Sequence, residues 1–496
     1  MAPSSEHQRA ELAAIAEKAM RDRGFLPEFS PEAKAEAERM SEDLGGVPES
    51  RGVRDLRRLL WCSIDNDDTR DLDQLTVADP LSDGRIRVCV AVADVESRVP
   101  EGSAIDRHAG HNTTSVYTPP KVFPMLPERL STGITSLNEG EDRLAVVVDF
   151  VVLPDGAVLE SELYQAVVHN HAKLAYNSLA AWLEGDSPQP DRLAGTRGLD
   201  GQIRLQDQAA QRLRKLRYQR GALDIRRNEV RPILDGDRVD RLEEDGSNRA
   251  KELIQDFMIA ANEATARFLE GHGFPSIRRV VRTPARWPRI VELAATHGTR
   301  LPAEPDSKAL SDFLEERRKA DPEDYPDLSL SIVKLIGSGE YVVDLPGEPA
   351  PGHFGLAVGD YTHATAPNRR YPDLVTHRLL KAALDNGSPP YSLEALAEIA
   401  RHCTDQENEA NKVERQVKKA AAALLLENRV GQHFDAVVTG ASHKGTWVRL
   451  CRLGVEGRLE KGWQGLDVGD RVRVRLIGTD AERGFIDFAR SSHDHG

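Results

Sequence analysis

The chain has 496 residues, of which 29% are charged and 40% hydrophobic, with a net charge of −14 and a mean hydropathy of −0.48. This length and balance imply about two to four globular domains and exclude a small stapled scaffold, a disordered chain and a fibrous one. Apolar runs such as 420–426 fall far short of the roughly 20 residues that cross a bilayer. The chain opens with polar Met1-Ala2-Pro3-Ser4-Ser5 rather than a signal peptide, so the expected location is the cytoplasm. Cys62, Cys89, Cys403 and Cys451 form no CxxC pair, and reduced thiols are expected rather than a disulfide framework or a zinc ribbon.

In chain order, residues 1–45 read as two helices. Leu12, Ile15, Ala16, Ala19 and Met20 share one face of the first. Ser30 caps the second, Pro31 suits its first position, and Gly45 after Leu44 is its expected stop. The two are expected to be a docking layer and not a site. From Val53 the pattern turns to strands, at 85–92 and 144–153. Helical patterns follow at 174–183, 206–219, 250–271, 288–297, 310–319 and 393–429. Beyond Gly431, short runs at 434–439, 446–451, 471–477 and 484–489 are split by glycine-rich turns and suit a small five-stranded barrel. Between Gly201 and Arg231, nine Lys or Arg face three acids. The acidic total argues weakly against a protein that coats nucleic acid, and this stretch alone reads as a solvated helix face.

Two motifs carry chemistry. In Ser63-Ile64-Asp65-Asn66-Asp67-Asp68-Thr69-Arg70-Asp71-Leu72-Asp73-Gln74, five aspartates lie within nine positions. Carboxylates held that close repel unless a hard cation neutralises them, and magnesium is the natural candidate. A calcium loop of the EF-hand type fails, because Arg70 replaces its glycine and no glutamate closes it. Alone, the motif reads as a solvated acidic loop. The second motif, Tyr361-Thr362-His363-Ala364-Thr365-Ala366-Pro367-Asn368-Arg369-Arg370-Tyr371-Pro372-Asp373 continuing to Arg378, gathers five actual or potential cations. Pro367 is expected to initiate a helix there, with Arg369 and Arg370 placed to hold phosphate. Alone, it reads equally as an ion-pair network.

Together the motifs resemble the catalytic RNB domain of the ribonuclease II and ribonuclease R family. The resemblance runs from about residue 59 to 429 and takes in Val92-Ala93-Asp94-Val95, Pro124-Met125-Leu126-Pro127, Ala172-Lys173-Leu174-Ala175-Tyr176, Arg220-Gly221-Ala222-Leu223-Asp224 and Met258-Ile259-Ala260-Ala261-Asn262 in family order. It implies an α+β fold: a helical segment at 1–50, an RNB domain with a mixed sheet and surrounding helices at 51–428, and an OB-fold at 429–496. It also implies a 3′ to 5′ exoribonuclease that uses Mg2+, with Mn2+ as a substitute, and releases nucleoside 5′-monophosphates.

By the same resemblance, Asp65, Asp71 and Asp73 hold metal, with Gln74 beside them, and Asp73 is tied most closely to cleavage. Two ions roughly 4 Å apart activate water and stabilise the leaving oxygen. Arg369 is the catalytic arginine, whose planar guanidinium suits the charge gathering on phosphate. Tyr117 is the ring that stacks on the terminal base, Tyr176 senses ribose, Glu414 lies near the reacting end, and Arg370 is counted with the RNA contacts. Residues 431–450 look like the OB-fold RNA-binding module repeated in ribosomal protein S-one. There Phe434 and Trp447 are candidates for base stacking and Arg449, Arg471, Arg473 and Arg475 for phosphates, although three of these arginines share one strand face and read equally as solvated.

Three positions depart from the family pattern. Gln74 stands where relatives have a fourth aspartate, so weaker metal binding is expected. Ile225 replaces a stacking phenylalanine, and Gln255 replaces a glutamate near the ribose. About 50 residues precede the catalytic region, too few for two cold-shock folds. A more open entrance is therefore expected, suited to single-stranded RNA, RNA 3′ ends and partly duplexed substrates such as tRNA precursors. Gln74 also motivates the rival reading of a catalytically weakened RNA-binding protein. A third reading, an adaptor docking through the N-terminal helices, requires them to expose an apolar stripe.

Overall fold

In a computed structural model of the chain, the structure describes residues 8–42, 52–225, 230–244, 246–322, 325–349, 352–442 and 445–491. Helix α1 (Gln8–Asp22) and α2 (Pro31–Arg39) come first, and the Ser30 side chain accepts from the Ala33 N–H as its residue type predicts. Helix α2 ends at Arg39, earlier than expected, and the Gly45 stop lies outside the described residues.

Seven strands form the central sheet: β1 (Arg54–Asp55), β2 (Cys62–Asp65), β3 (Gln74–Pro80), β4 (Ile86–Ala93) and, after helix α3 (Ala104–Asn112) and the hairpin β5 (Val116–Tyr117) and β6 (Val122–Phe123), β7 (Asp142–Val152), β8 (Val158–His169) and β9 (Ala172–Ala175). Their order is β1-β8-β7-β4-β3-β2-β9. The β1–β8 and β2–β9 pairs are parallel and the others antiparallel, so the sheet is mixed. Strand β4 is buried at almost every position, as its unbroken apolar run demands of a strand covered on both faces.

Helices α4 (Tyr176–Glu184), α5 (Asp191–Gly195), α6 (Leu199–Gln219) and α7 (Arg249–Gly271) join the core of this sheet, with the hairpin β10 (Val230–Asp235) and β11 (Arg238–Glu244) between the last two. The basic stretch on α6 is only partly a solvated face. Arg214 and Arg217 both pair with buried Asp256 of α7, because a carboxylate taken out of water requires such partners. Strand β12 (Ser276–Val280) pairs with β13 (Glu340–Asp344), and Ile277 and Tyr341 join the core of the central sheet, while α8 (Trp287–Thr296), α9 (Ser307–Ala320) and α10 (Tyr325–Ile336) build a separate cluster. Helix α11 (Tyr371–Leu384) and the 34-residue α12 (Leu393–Leu426) follow. Strands β14 (His433–Ser442), β15 (Gly445–Leu450), β16 (Glu456–Lys461), β17 (Arg471–Asp480) and β18 (Phe485–Arg490) close into the expected barrel. No helix of the described residues is long and apolar enough to cross a membrane.

The apolar stripe of α1 is covered by the chain itself. Leu12, Ile15, Ala16, Ala19 and Met20 pack against Val413, Val417, Ala420, Ala421 and Leu424 of α12 and against Val116 and Phe123 of the β5–β6 hairpin. An adaptor would need that stripe exposed, and the structure contradicts the requirement. The link to α3 is polar. Asn112 exchanges hydrogen bonds with the Leu26 backbone, its Oδ1 accepting from N–H at 2.9 Å and its Nδ2 donating to the carbonyl at 2.8 Å. Those bonds fix the amide, so its Nδ2 also faces His108 Nε2 at 3.2 Å as a donor and the imidazole must accept.

Burial pushes the His108 imidazole down to about 4. The unfolded chain therefore takes up this proton first as pH falls, and the contribution of His108 to stability is lost between about pH 6.5 and pH 4. Thermal unfolding followed across that range should show the decline, and it should flatten in His108→Leu. Leu12→Ala should cost about 2–5 kcal/mol at any of these pH values, while Lys18→Ala on the exposed face should stay within about 0.5 kcal/mol.

Candidate active site

The acidic motif spans the end of β2 and the start of β3, and the loop between them is fixed by bonds from distant segments. Ser136 Oγ accepts from Leu72 N–H and lies within hydrogen-bonding reach of the Arg70 carbonyl, each at 2.9 Å, and Leu137 N–H donates to the Leu72 carbonyl at 2.9 Å. Lys173 Nζ donates to the carbonyls of Asp67 and Thr69. Asp65 Oδ1 accepts from Asn66 N–H at 2.7 Å and from Thr69 Oγ1 at 2.9 Å.

Asp73 is 2% exposed. Its Oδ1 accepts from the Asn368 backbone N–H at 3.0 Å and its Oδ2 from Arg369 Nε at 3.0 Å. Burial, with Asp71 and Asp373 nearby, still pushes its carboxyl up to about 7, against the pull of Arg369 and the Asn368 N–H. Asp65 is also raised, first by burial and then by Asp71. Burial opposes the charge on Arg369, yet Asp73, Tyr117, Asp65 and Asp71 together hold its pKa above the ordinary value.

Tyr117 is 37% exposed. Its hydroxyl donates to Asp71 Oδ2 at 2.9 Å, and its backbone N–H donates to Glu414 Oε1 on α12 at 2.9 Å. Tyr176 opens α4, and its phenol is raised by burial and by the Asp65 charge. The structure thus brings Asp65, Asp71, Asp73, Tyr117, Tyr176, Arg369 and Glu414 into one locality. Arg370 follows Arg369 in the chain and bonds Asp373 at 2.8 Å rather than any of these residues.

The helix expected at Pro367 begins at Tyr371, with Pro372 in its first turn. Pro367 lies in the preceding loop, and Arg369 acts from that loop rather than from a helix start. Gln74, 7% exposed, pairs with Val92 across the sheet, and no hydrogen bond joins it to Asp65, Asp71 or Asp73 among the described residues.

Phe434 and Trp447 are not part of this cluster. Phe434 packs against the barrel core, and Trp447 lines a separate cleft of about 1040 Å³ between α1, α12 and the barrel. Arg471, Arg473 and Arg475 are exposed while Val472, Val474 and Leu476 face inward, the alternation of a barrel wall. Ile225 packs against the cluster of α8 to α10, and Gln255 lies on the exposed side of α7. A second cleft, of about 590 Å³, runs between α10, α12, the β10–β11 hairpin and the barrel. Lys334, Arg415, Lys418 and Lys419 line it and Glu414 bounds it, which places a basic passage one residue from the Tyr117 bond.

Sequence reading missed Asn368, which supplies a backbone N–H, and the Thr135 to Leu137 segment, whose bonds reach the motifs from far along the chain. Asn368 lies inside the second motif, but a backbone donor leaves no mark on residue type. Among the described residues, no three carboxylate, imidazole or thiol groups converge on one metal position. An ion held here would have to take one or two of these carboxylates together with waters and substrate phosphates, as magnesium can. The raised carboxyls of Asp65 and Asp73 mark the place where added positive charge is favoured.

Residues 53–386 match the RNB domain, and residues 432–491 match the RNase II-type exonuclease C-terminal S1 domain. The chain is 31% identical over 487 residues to Ribonuclease R of Escherichia coli (strain K12), covering 90% of this chain and 59% of that protein. It is likewise 31% identical over 484 residues to Ribonuclease R of Thermotoga maritima, covering 89% of this chain and 65% of that one. Mycoplasma genitalium RNase R in complex with ribose methylated single-stranded RNA superposes with a TM-score of 0.87 at 22% identity, covering 97% of this chain and 78% of that one. Yeast Ssd1, described as a pseudonuclease, superposes with a TM-score of 0.70 at 17% identity, covering 90% of this chain and 55% of that one, so the fold is common to chains with and without nuclease activity. The RNB match spans well over half of the sequence, and the chain belongs to the RNB-domain family of ribonuclease R and ribonuclease II.

Proposed function

We propose that the chain is a hydrolytic 3′ to 5′ exoribonuclease that uses Mg2+, or Mn2+ in its place, and releases nucleoside 5′-monophosphates from single-stranded RNA and RNA 3′ ends. The observation that carries this reading is the double hold on Asp73 by Asn368 N–H and Arg369 Nε, which joins segments 296 residues apart at one carboxylate. We assign 51–428 to catalysis, 429–496 to RNA capture and 1–50 to a helical segment backing them, and we place the protein in the cytoplasm.

Asp65, Asp71 and Asp73 would hold the ions, which supply an activated water and charge stabilisation on the phosphate. Arg369 commits its Nε to Asp73, which leaves its terminal nitrogens for the phosphate as charge develops there. Tyr117 offers a half-exposed ring to a terminal base while its hydroxyl steadies Asp71. Glu414 holds the Tyr117 backbone, and Tyr176 stands beside Asp65, within reach of a terminal ribose. The basic cleft above Glu414 suits the phosphates upstream of the reacting end. A weakened RNA-binding protein remains the second reading, motivated by Gln74, and the gathering of Asp65, Asp71, Asp73 and Arg369 at one site argues against it.

A time course on 5′-labelled single-stranded RNA should show shortening from the 3′ end with Mg2+ and none with EDTA. Asp73→Asn and Arg369→Lys should each slow it by about 10²- to 10³-fold, and Gln74→Asp should lower the Mg2+ concentration that gives half the maximal rate. Intact RNA in the parent with digestion by Gln74→Asp would establish the binding-protein reading instead. A duplex with a 3′ tail, compared with a linear strand, tests the open entrance and tRNA precursors as substrates. In calorimetry, Mn2+ should raise the Tm of the parent, and the rise should shrink in Asp65→Asn.

A further inference from the structure

Asn368 and Thr135 form a buried polar pair behind the site. Asn368 is 0% exposed and Thr135 4%. Thr135 Oγ1 lies 2.6 Å from the side-chain amide of Asn368 and 2.8 Å from the Leu130 carbonyl. The other end of that amide is buried with no hydrogen-bond partner.

A threonine hydroxyl carries one proton, and a carbonyl can only accept it. With the proton on Leu130, the amide must present its NH2 to Thr135 Oγ1, and the unpartnered end becomes the carbonyl oxygen. The amide ends of an asparagine are assigned from such networks. This assignment makes both bonds and leaves one N–H and the carbonyl oxygen of the amide unfilled, which costs less than the two unfilled N–H donors of the opposite assignment.

The neighbours of Thr135 grip the other half of the site. Ser136 and Leu137 hold the acidic loop at Leu72, while Thr135 holds the loop that carries Asn368 and Arg369. One segment therefore sets the spacing between the two motifs.

We propose that Thr135 and Asn368 are positioning residues: their side-chain bond holds the Asn368 backbone N–H against Asp73 and thereby fixes Asp73 relative to Arg369. The inference rests on the proposed roles of those two residues. It predicts an effect on the chemical step and not on RNA affinity, because both residues are buried. Misplacement by about 1 Å is enough to cost on the order of 10²-fold in rate.

The test uses Thr135→Val, which keeps shape and removes the hydroxyl, Thr135→Ser, which restores it, and the double variant Thr135→Val with Asn368→Leu, which removes both polar partners. Single-turnover cleavage of saturating RNA should fall at least tenfold in Thr135→Val with KM within about twofold of the parent, and Thr135→Ser should restore most of the rate. Hydrogen exchange of the Asn368 amide, read in the full chain, should accelerate in Thr135→Val and not in Thr135→Ser. The double variant should regain thermal stability without regaining rate. A folded Thr135→Val that cleaves at the parent rate and protects the Asn368 amide equally would overturn the proposal. Should the parent cleave no RNA, the enzymatic reading fails, and the exchange arm still decides whether Thr135 holds the Asn368 amide.

Discussion

The arrangement of the site depends on one buried carboxylate. Asp73 sits where water does not reach it, and an isolated charge there would be costly enough to take up a proton. The fold answers with a guanidinium and a backbone N–H from the Pro367 loop. The answer is incomplete, since the carboxyl still rises to about 7. A protein selected for stability alone would do better with an apolar residue at this position. The remaining charge deficit is intelligible if a cation supplies the rest, and it accounts for the many bonds from elsewhere in the chain that hold the acidic loop.

The second constraint is the long helix α12. It is backed by α1 along its C-terminal half, touches the barrel core through Ala422, Ala423 and Leu426, and presents Glu414 to Tyr117. The β5–β6 hairpin anchors Val116 and Phe123 in the same cluster as α1. The ring of Tyr117 is thus placed by a core to which the N-terminal helix contributes. The segment that sequence alone marks as a docking layer is part of the support of the site.

What the sequence made legible follows from the range of the interactions. Asp65, Asp71, Asp73 and Arg369 stand in dense local motifs, and an unusual density of charge shows in residue types alone. The helices at 174–183, 206–219 and 250–271 and the barrel strands repeat with the period of their buried faces, so they too are legible. Strand β3 is not legible, because its alternation is obscured by the acidic run before it. The Asn368 N–H, Thr135 and Ser136 are invisible for a different reason: their partners lie tens to hundreds of residues away. Pro367 misled because a proline fixes φ equally well in a loop and at a helix start, and only the next turn, with Pro372, shows which. Phe434 and Trp447 share the barrel strands with core residues, and local pattern does not say which aromatic rings face a ligand.

Gln74 gathers these points into one argument. Asp65, Asp71 and Asp73 carry three negative charges at most, against one from Arg369, and a carboxylate at position 74 would add like charge to a centre where burial first, and Asp71 after it, already raise Asp65 and Asp73. With an amide at this position the like-charge repulsion is lower, and the electrostatic pull on a dication is lower with it. In the proposed reading, oxygens from the RNA phosphate complete what the protein no longer supplies, because magnesium readily takes phosphate oxygens and water alongside one or two carboxylates. Binding of metal and binding of RNA then become linked, each strengthening the other by the same factor. In that reading, an amide at position 74 shifts part of the metal affinity from the free protein to its complex with RNA.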